Sequence, residues 1–291
     1  MLAVATAIAA WGFGAILVKV MSIDGISLSF YRLWFGSLLM LAIVLVTRTP
    51  VSVHAMRRAI PGGLVFGVNV VLFFSAVNHT TIANANLISA LQPALVLVVA
   101  GPIFGEKTNA RTLAWTAVSI VGVGIVIVGA SGRPEWSPAG DAMAAGAVTL
   151  LTAYFVFSKR ARSSVGTLEY MLCVQVIAAL TVTPIAVASG HTAVPQGIDW
   201  LWMTIIVFGT GVGSHILINW AHPYVDVSVS SLMMLAVPVV AGVAAWLLLD
   251  ETMTLLQIVG TLITIAAMVV IVRESRREEP PAAASEIAAA L

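Results

Sequence analysis

The amino-acid sequence predicts an all-α membrane protein: ten transmembrane helices, folded as two inverted five-helix repeats. Three observations predict it. The 291 residues are 60% hydrophobic and 9% charged, with mean hydropathy +1.03, whereas a soluble domain carries about a quarter charged residues. The chain divides into ten apolar runs of near-membrane length. A proline-to-glutamate element recurs halfway along, Pro93 to Glu106 and Pro238 to Glu251, thirteen residues each and 145 residues apart.

A helix needs roughly 20 mostly apolar residues to cross the hydrocarbon. Runs of that length fall at 2–21, 27–47, 59–77, 81–103, 111–130, 141–158, 168–188, 200–220, 227–249 and 253–272. Unpaired backbone cannot face lipid, and the short connections leave no room for a barrel's alternating strands, so each run is expected to be helical. The first run lacks a basic n-region and precedes nine further spans, which makes it a span and not a signal peptide.

Direction follows from charge. With the N-terminus inside, Arg48, Arg57, Arg58, Lys107, Arg111, Lys159, Arg160, Arg162, Arg273, Arg276 and Arg277 are cytoplasmic, and only Lys19, Arg32 and Arg133 of the 14 basic residues fall outside. Basic residues favour the cytoplasmic side, which predicts a cell (inner or plasma) membrane protein with both termini cytoplasmic. Residues 274–291 turn charged and then Pro/Ala-rich, the composition of a disordered tail. A net charge of +1 offers no basic stripe to nucleic acid. Cys173 is alone, so it forms no internal disulfide.

The recurrence divides the chain into a first repeat, 1–135, and a second, 136–273. Each holds five spans, an odd number, so the second lies upside down relative to the first. Charge agrees, because Lys107 and Arg111 follow Glu106 while no basic residue follows Glu251 before Arg273. Inverted halves that exchange conformations turn a cavity from one compartment to the other, so transport is the expectation. The other reading is an old duplication in a static scaffold.

Particular segments also carry a resemblance. Trp11-Gly12-Phe13-Gly14 running to Lys19, Tyr31-Arg32-Leu33, Ser75 to Ala83 leading to Pro93 and Glu106, and Pro238 to Glu251 followed by Gly260 together resemble the EamA family of the drug/metabolite transporter superfamily. The resemblance covers residues 1–273. It implies ten helices around a central cavity, lined mainly by spans 1, 3, 4, 6, 8 and 9, and export of small metabolites such as amino acids.

Polar side chains inside spans are expensive and normally face a bundle interior or a wet cavity. Asn86, Ser89 and Gln92 recur every third residue beside Pro93, which puts them on one helical face. Asn69 stands on the third span, Tyr154 on the sixth, and His215 and Asn219 one turn apart on the eighth. Two readings stand: a lining that hydrogen-bonds substrate, or bonds between packed helices. Trp11 is likewise a cavity wall or ordinary packing. Pro93 and Pro238 remove a backbone donor and are expected to kink their helices, for gating or for geometry. Glu106 and Glu251 sit at helix ends, where the dipole makes them structural locks more readily than ligands. Lys19 and Arg32 lie toward the outer ends of their spans, as a positive mouth for a carboxylate or as side chains snorkelling to headgroups.

Other chemistry finds no support. Gly101 to Thr108 has a glutamate between glycine and lysine and is one residue short of a phosphate loop. Gly211-Val212-Gly213-Ser214-His215 lacks the context of a nucleophile elbow. Asp141 reads as a helix cap, and the 5 histidines show no paired metal-ligand spacing. No ATP, metal or other cofactor is expected, and no enzyme activity. The acidic residues avoid span centres, which argues against a carboxylate-based proton antiporter and leaves His215 as the deep titratable group. The expected partners are membrane lipid and a small-molecule substrate, not nucleic acid, with the oligomeric state open and a monomer sufficient. Alternatives are a carrier of sugars, nucleotides or lipophilic drugs, a channel, or a scaffold that transports nothing.

Overall fold

The computed structural model describes residues 1–80, 85, 88–105, 110–129, 137–248 and 254–278, with only the backbone at 15, 16, 18–20, 242, 245, 246, 248, 272 and 274–278. Among the described residues there is helix and no strand. The helices are α1 (Leu2–Val20), α2 (Gly25–Val46), α3 (Val53–His79), α4 (Gln92–Phe104), α5 (Ala110–Gly129), α6 (Pro138–Arg162), α7 (Thr167–Ser189), α8 (Asp199–Ala221), α9 (Val227–Met233), α10 (Ala236–Leu248) and α11 (Leu255–Glu278). Six of them, α2, α3, α5, α6, α7 and α8, are individually long and apolar enough to cross a bilayer. Shorter apolar stretches in α1, α4, α9–α10 and α11 accompany them. Large apolar side chains such as Leu38, Leu45, Val98, Val121 and Leu262 face outward, as a bilayer demands of a multi-pass membrane protein.

Helix ends follow local chemistry. Asp24 caps α2, accepting from the N–H groups of Ile26 and Ser27, and Ser52 caps α3 by accepting from Ala55 N. Gly105 and Gly190, both at φ +71°, end α4 and α7 in the left-handed conformation that a side chain would strain. Polar links tie the loops together at each end of the bundle. At one end Ser52 Oγ donates to Glu169 (2.7 Å). At the other, Ser22 Oγ donates to Asp199 (2.5 Å) and Thr80 Oγ1 to Asp141 (2.7 Å). The tail differs from expectation, since α11 runs on to Glu278 and so takes in the first residues of the segment read as disordered. Arg and Glu are good helix formers and extend a helix that is already nucleated; residues 279–291 lie outside the described ones.

The two halves interlock. Helix α3 packs on α6 and α7, α2 on α7 and on the middle of α8, α1 on α8 and α10, α4 on α9, and α5 on α11. Close approach depends on missing side chains: a Cβ at Gly63 would lie 2.6 Å from Ile177, and one at Gly122 2.5 Å from Thr264. Small residues of this kind let helix backbones meet where no hydrophobic drive exists between helices.

The fourth and ninth spans are interrupted. A turn at 90–91 precedes α4, with Leu91 N bonded to Ile88 O (3.0 Å), and a turn at 234–235 separates α9 from α10, with Leu235 N bonded to Leu232 O (3.1 Å). Pro93 is thus the second residue of α4, and Pro238 the third of α10. Neither kinks a continuous helix as expected. Each starts a new one, where its missing N–H breaks no intrahelical bond.

Candidate functional site

A cavity of about 200 Å³ lies where seven spans converge. Trp11 and Gly14 come from α1, Arg32 from α2, Phe66, Asn69, Phe73 and Phe74 from α3, and Ser89, Ala90, Gln92 and Pro93 from the first interruption. Ala147, Val148 and Leu151 belong to α6, Thr210 and His215 to α8, and Met234, Leu235, Val237 and Pro238 to the second interruption. Both helix breaks therefore sit in the wall. The surface is chiefly apolar, with a few polar groups set into it, the usual make-up of a small-molecule pocket.

The polar groups are organised by α8, whose central residues Ile206–Gly213 form a π-helix. Widening a helix in this way is rare, is frequent at functional sites, and disturbs the regular backbone pairing. Here the Thr210 carbonyl receives side chains from the other half. Trp11 Nε1 donates to it at 2.9 Å and an Arg32 Nη at 3.5 Å. Gly14 presses against the Thr210 side chain, so α1 and α8 are in backbone-close contact.

Aromatic rings hold the rest in place. His215 meets Trp11 and Phe66 edge-on, with centroids 5.1 and 4.7 Å away, and the Arg32 guanidinium lies 5.5 Å from the centre of the Phe74 ring. Three buried nitrogens in this wall have no hydrogen-bond partner: Arg32 Nε, Gln92 Nε2 and His215 Nδ1. Two of the three can only donate.

A fully buried polar cluster lies beside the cavity, between α6 and α8. Asn219 Nδ2 donates to the Tyr154 hydroxyl (2.7 Å) and to the His215 carbonyl (2.8 Å). Ser158 Oγ donates its single proton to Asn219 Oδ1. His222 Nδ1, 2.7 Å from the same hydroxyl, is therefore the donor to Ser158. Among the described residues no three His, Cys, Asp or Glu side chains converge to hold a metal ion.

The sequence profile of the EamA-like transporter family matches residues 1–128 and 138–273. The chain belongs to that family. EamA proteins are part of the drug/metabolite transporter superfamily. A relative from Archaeoglobus fulgidus, described as an uncharacterized transporter, is 24% identical over 261 residues, covering 88% of this chain and 90% of its own. A protein of known crystal structure superposes with TM-score 0.83 at 18% identity, over 96% of this chain and 98% of that one; this likeness speaks to the fold alone.

Within this EamA fold the residues singled out by sequence separate into groups. Trp11, Asn69, Ser89, Gln92, Pro93, His215 and Pro238 line the cavity. Asn69 spends its amide on a 2.7 Å bond to the Ala147 carbonyl, joining α3 to α6. Arg32 is also in the lining, 8% exposed; it does not snorkel. Tyr154 and Asn219 are fully buried, outside the cavity lining and inside the polar cluster. Asn86, Glu106 and Glu251 lie outside the described residues, as does the side chain of Lys19. Sequence reasoning passed over Thr210 and the α3 aromatics. Phe66, Asn69, Val70, Phe73 and Phe74 follow the i, i+3, i+4, i+7, i+8 pattern of one helix face, a legible signal. Thr210 carries none, because its contribution is a main-chain oxygen.

Proposed function

We propose that this EamA transporter is a secondary carrier that exports small metabolites, such as amino acids, across the cell's inner or plasma membrane by alternating access. Residues 1–135 and 136–273 act as inverted repeats, and both termini are cytoplasmic. The observation that carries this reading is the pair of interrupted helices at matched positions, touching one another through α4 and α9 and both contributing to the cavity wall. Helices broken at corresponding places in two halves are the usual pointer to a transporter's binding site.

Packing supports the same symmetry. Exchanging each span with the one five later turns the contact of spans 3 and 6 into that of 8 and 1, 3 and 7 into 8 and 2, and 1 and 9 into 6 and 4, all of which are present. Spans 2 and 7, 4 and 9, and 5 and 10 pair with their own counterparts. Halves related in this way interconvert by exchanging conformations about a fixed central site.

The test is a growth screen: the protein is overexpressed in cells challenged with toxic amounts of amino acids and their analogues. Rescue by the intact protein, together with saturable counterflow of the same solute in proteoliposomes, is expected. No rescue and no counterflow across a broad panel would favour the static scaffold instead. Tags near residues 107 and 252 should report from opposite sides of the membrane; one shared side removes the inverted arrangement.

A further inference from the structure

We propose that Arg32 receives a carboxylate of the transported solute, so that the cavity selects small organic monocarboxylates with an apolar body and no ammonium group. This rests on the carrier reading above, keeps its small-metabolite class, and replaces amino acids, the example given there, with acids that carry no ammonium.

A guanidinium inside a bilayer is costly unless paired. Arg32 is 8% exposed, and its polar contact is the 3.5 Å approach to the Thr210 carbonyl, with the Phe74 face on one side. Its Nε has no acceptor. The described carboxylates stand at helix ends and are occupied elsewhere: Asp24 by Ser27, Asp141 by Thr80, Glu169 by Ser52, Asp199 by Ser22, Asp226 by Lys159. Among the described residues, then, the charge has no counter-ion.

Gln92 Nε2, in the same lining, is a second buried donor without an acceptor. Donors in excess of acceptors complement an oxygen-rich anion, and a carboxylate offers two oxygens to a guanidinium edge and an amide together. Among the described residues an ammonium finds no acidic side chain in the lining, and the Thr210 carbonyl already accepts from Trp11 and Arg32. The remaining wall, including Trp11, Phe66, Phe73 and Pro238, suits an apolar body.

Charge also supplies direction. Among the described residues the titratable side chains in the lining are Arg32 and His215, and none of them is a carboxylate that could shuttle a proton. A solute that crosses as an anion is driven out of the cell by the inside-negative potential, with no coupling ion.

The experiment uses the full chain and four probes sharing one ring: 3-phenylpropanoate, phenylalanine, 3-phenylpropanol and 3-phenylpropylamine. Binding is read as the rise in unfolding temperature of the purified protein with ligand concentration. Phenylpropanoate should bind best, phenylalanine more weakly, and the alcohol and amine weakest. Arg32→Gln should weaken phenylpropanoate about tenfold or more, the loss expected for a charged hydrogen bond. In proteoliposomes phenylpropanoate efflux should quicken when a potassium diffusion potential makes the lumen negative, and slow when the sign is reversed. Equal binding of the alcohol or amine, phenylalanine matching phenylpropanoate, an unaffected Arg32→Gln protein, phenylpropanoate efflux that proceeds at a rate independent of the potential, or no binding by any probe each overturns the proposal. The wild-type ranking needs no variant, so it stands even where Arg32→Gln fails to fold. Phenylpropanoate that binds through Arg32 but never crosses sinks the carrier reading and leaves the anion site. Saturable transport of the alcohol, unchanged in Arg32→Gln, does the reverse.

Discussion

Trp11 Nε1 donates to the carbonyl of Thr210 across 2.9 Å, joining the first span of one half to the widened turn of the other, 199 positions away. The same oxygen takes the longer contact from Arg32 at 3.5 Å. One carbonyl thus fixes both the indole that walls the cavity and the guanidinium that charges it. Carbonyls drawn away from water need donors, and this half-buried one obtains them from the opposite half.

Trp11→Phe keeps an aromatic wall and removes the N–H. It should lower stability by about 0.5–1.5 kcal/mol, the net worth of one hydrogen bond, read as a drop in the unfolding temperature of the purified protein. Transport should fall by more than that loss implies, because Arg32 is then held only by its own long contact and the Phe74 face. Unaltered transport in a folded Trp11→Phe protein would separate the indole from the site.

Gly14→Ala tests the contact behind that bond. A Cβ there would lie 2.1 Å from Thr210 Cγ2, whereas one at Gly209 meets nothing within 4 Å. Gly14→Ala should cost about 1–3 kcal/mol through overpacking and reduce transport by pushing α1 off α8. Gly209→Ala should leave both near wild type, and equal losses in the two variants would show that the effect is not specific to the contact of Gly14 with Thr210.

Six spans were legible in the sequence because lipid imposes a length and a composition that each of those runs displays by itself. Helix α2 lies within two residues of its expected bounds, and α7 within one. The interruptions were not legible in full. Pro93 and Pro238 marked the places, but whether proline bends a helix or starts one depends on what pairs with the preceding backbone. Polar residues announced a site without apportioning it: the periodicity that placed His215 and Asn219 together on α8 is blind to α6, whose Tyr154 and Ser158 draw Asn219 out of the lining. Arg32 was left between a positive mouth and a snorkelling side chain, because sequence gives its depth and not the direction of its side chain.

Asp24 makes a pH-dependent contribution at the end of α2. Burial acts to raise its pKa, but the hydroxyl and N–H of Ser27, the nearby His191 and the N–H of Ile26 outweigh that and hold the carboxyl below its usual 3.8. A folded-state pKa below the unfolded one gives stability that is present above the unfolded value and lost as pH falls through the folded one. Asp24→Ala should therefore cost about 0.5–2 kcal/mol at neutral pH, the worth of an N-cap, and progressively less below pH of about 4. A deficit that persists undiminished in acid would mean that Asp24 acts through something other than its charge.

Asn219 is where the sequence reading and the structure make opposite forecasts. As a substrate ligand its loss would abolish transport and spare the protein. In the structure it is fully buried, bonded to Tyr154, Ser158 and the His215 carbonyl, so Asn219→Ala strands a serine proton and opens a void between α6 and α8. Leaving buried polar groups unpaired costs about 1–3 kcal/mol each, and abundance and unfolding temperature should both drop. Tyr154→Phe is milder: it removes the hydroxyl that accepts from Asn219 while Phe66, 4.9 Å away by ring centroids, keeps its neighbour. Because Tyr154 does not line the cavity, solute affinity measured by thermal shift should be the same in Tyr154→Phe as in wild type. A severalfold loss of affinity in that variant, with its unfolding temperature unchanged, would put the hydroxyl back in contact with the solute.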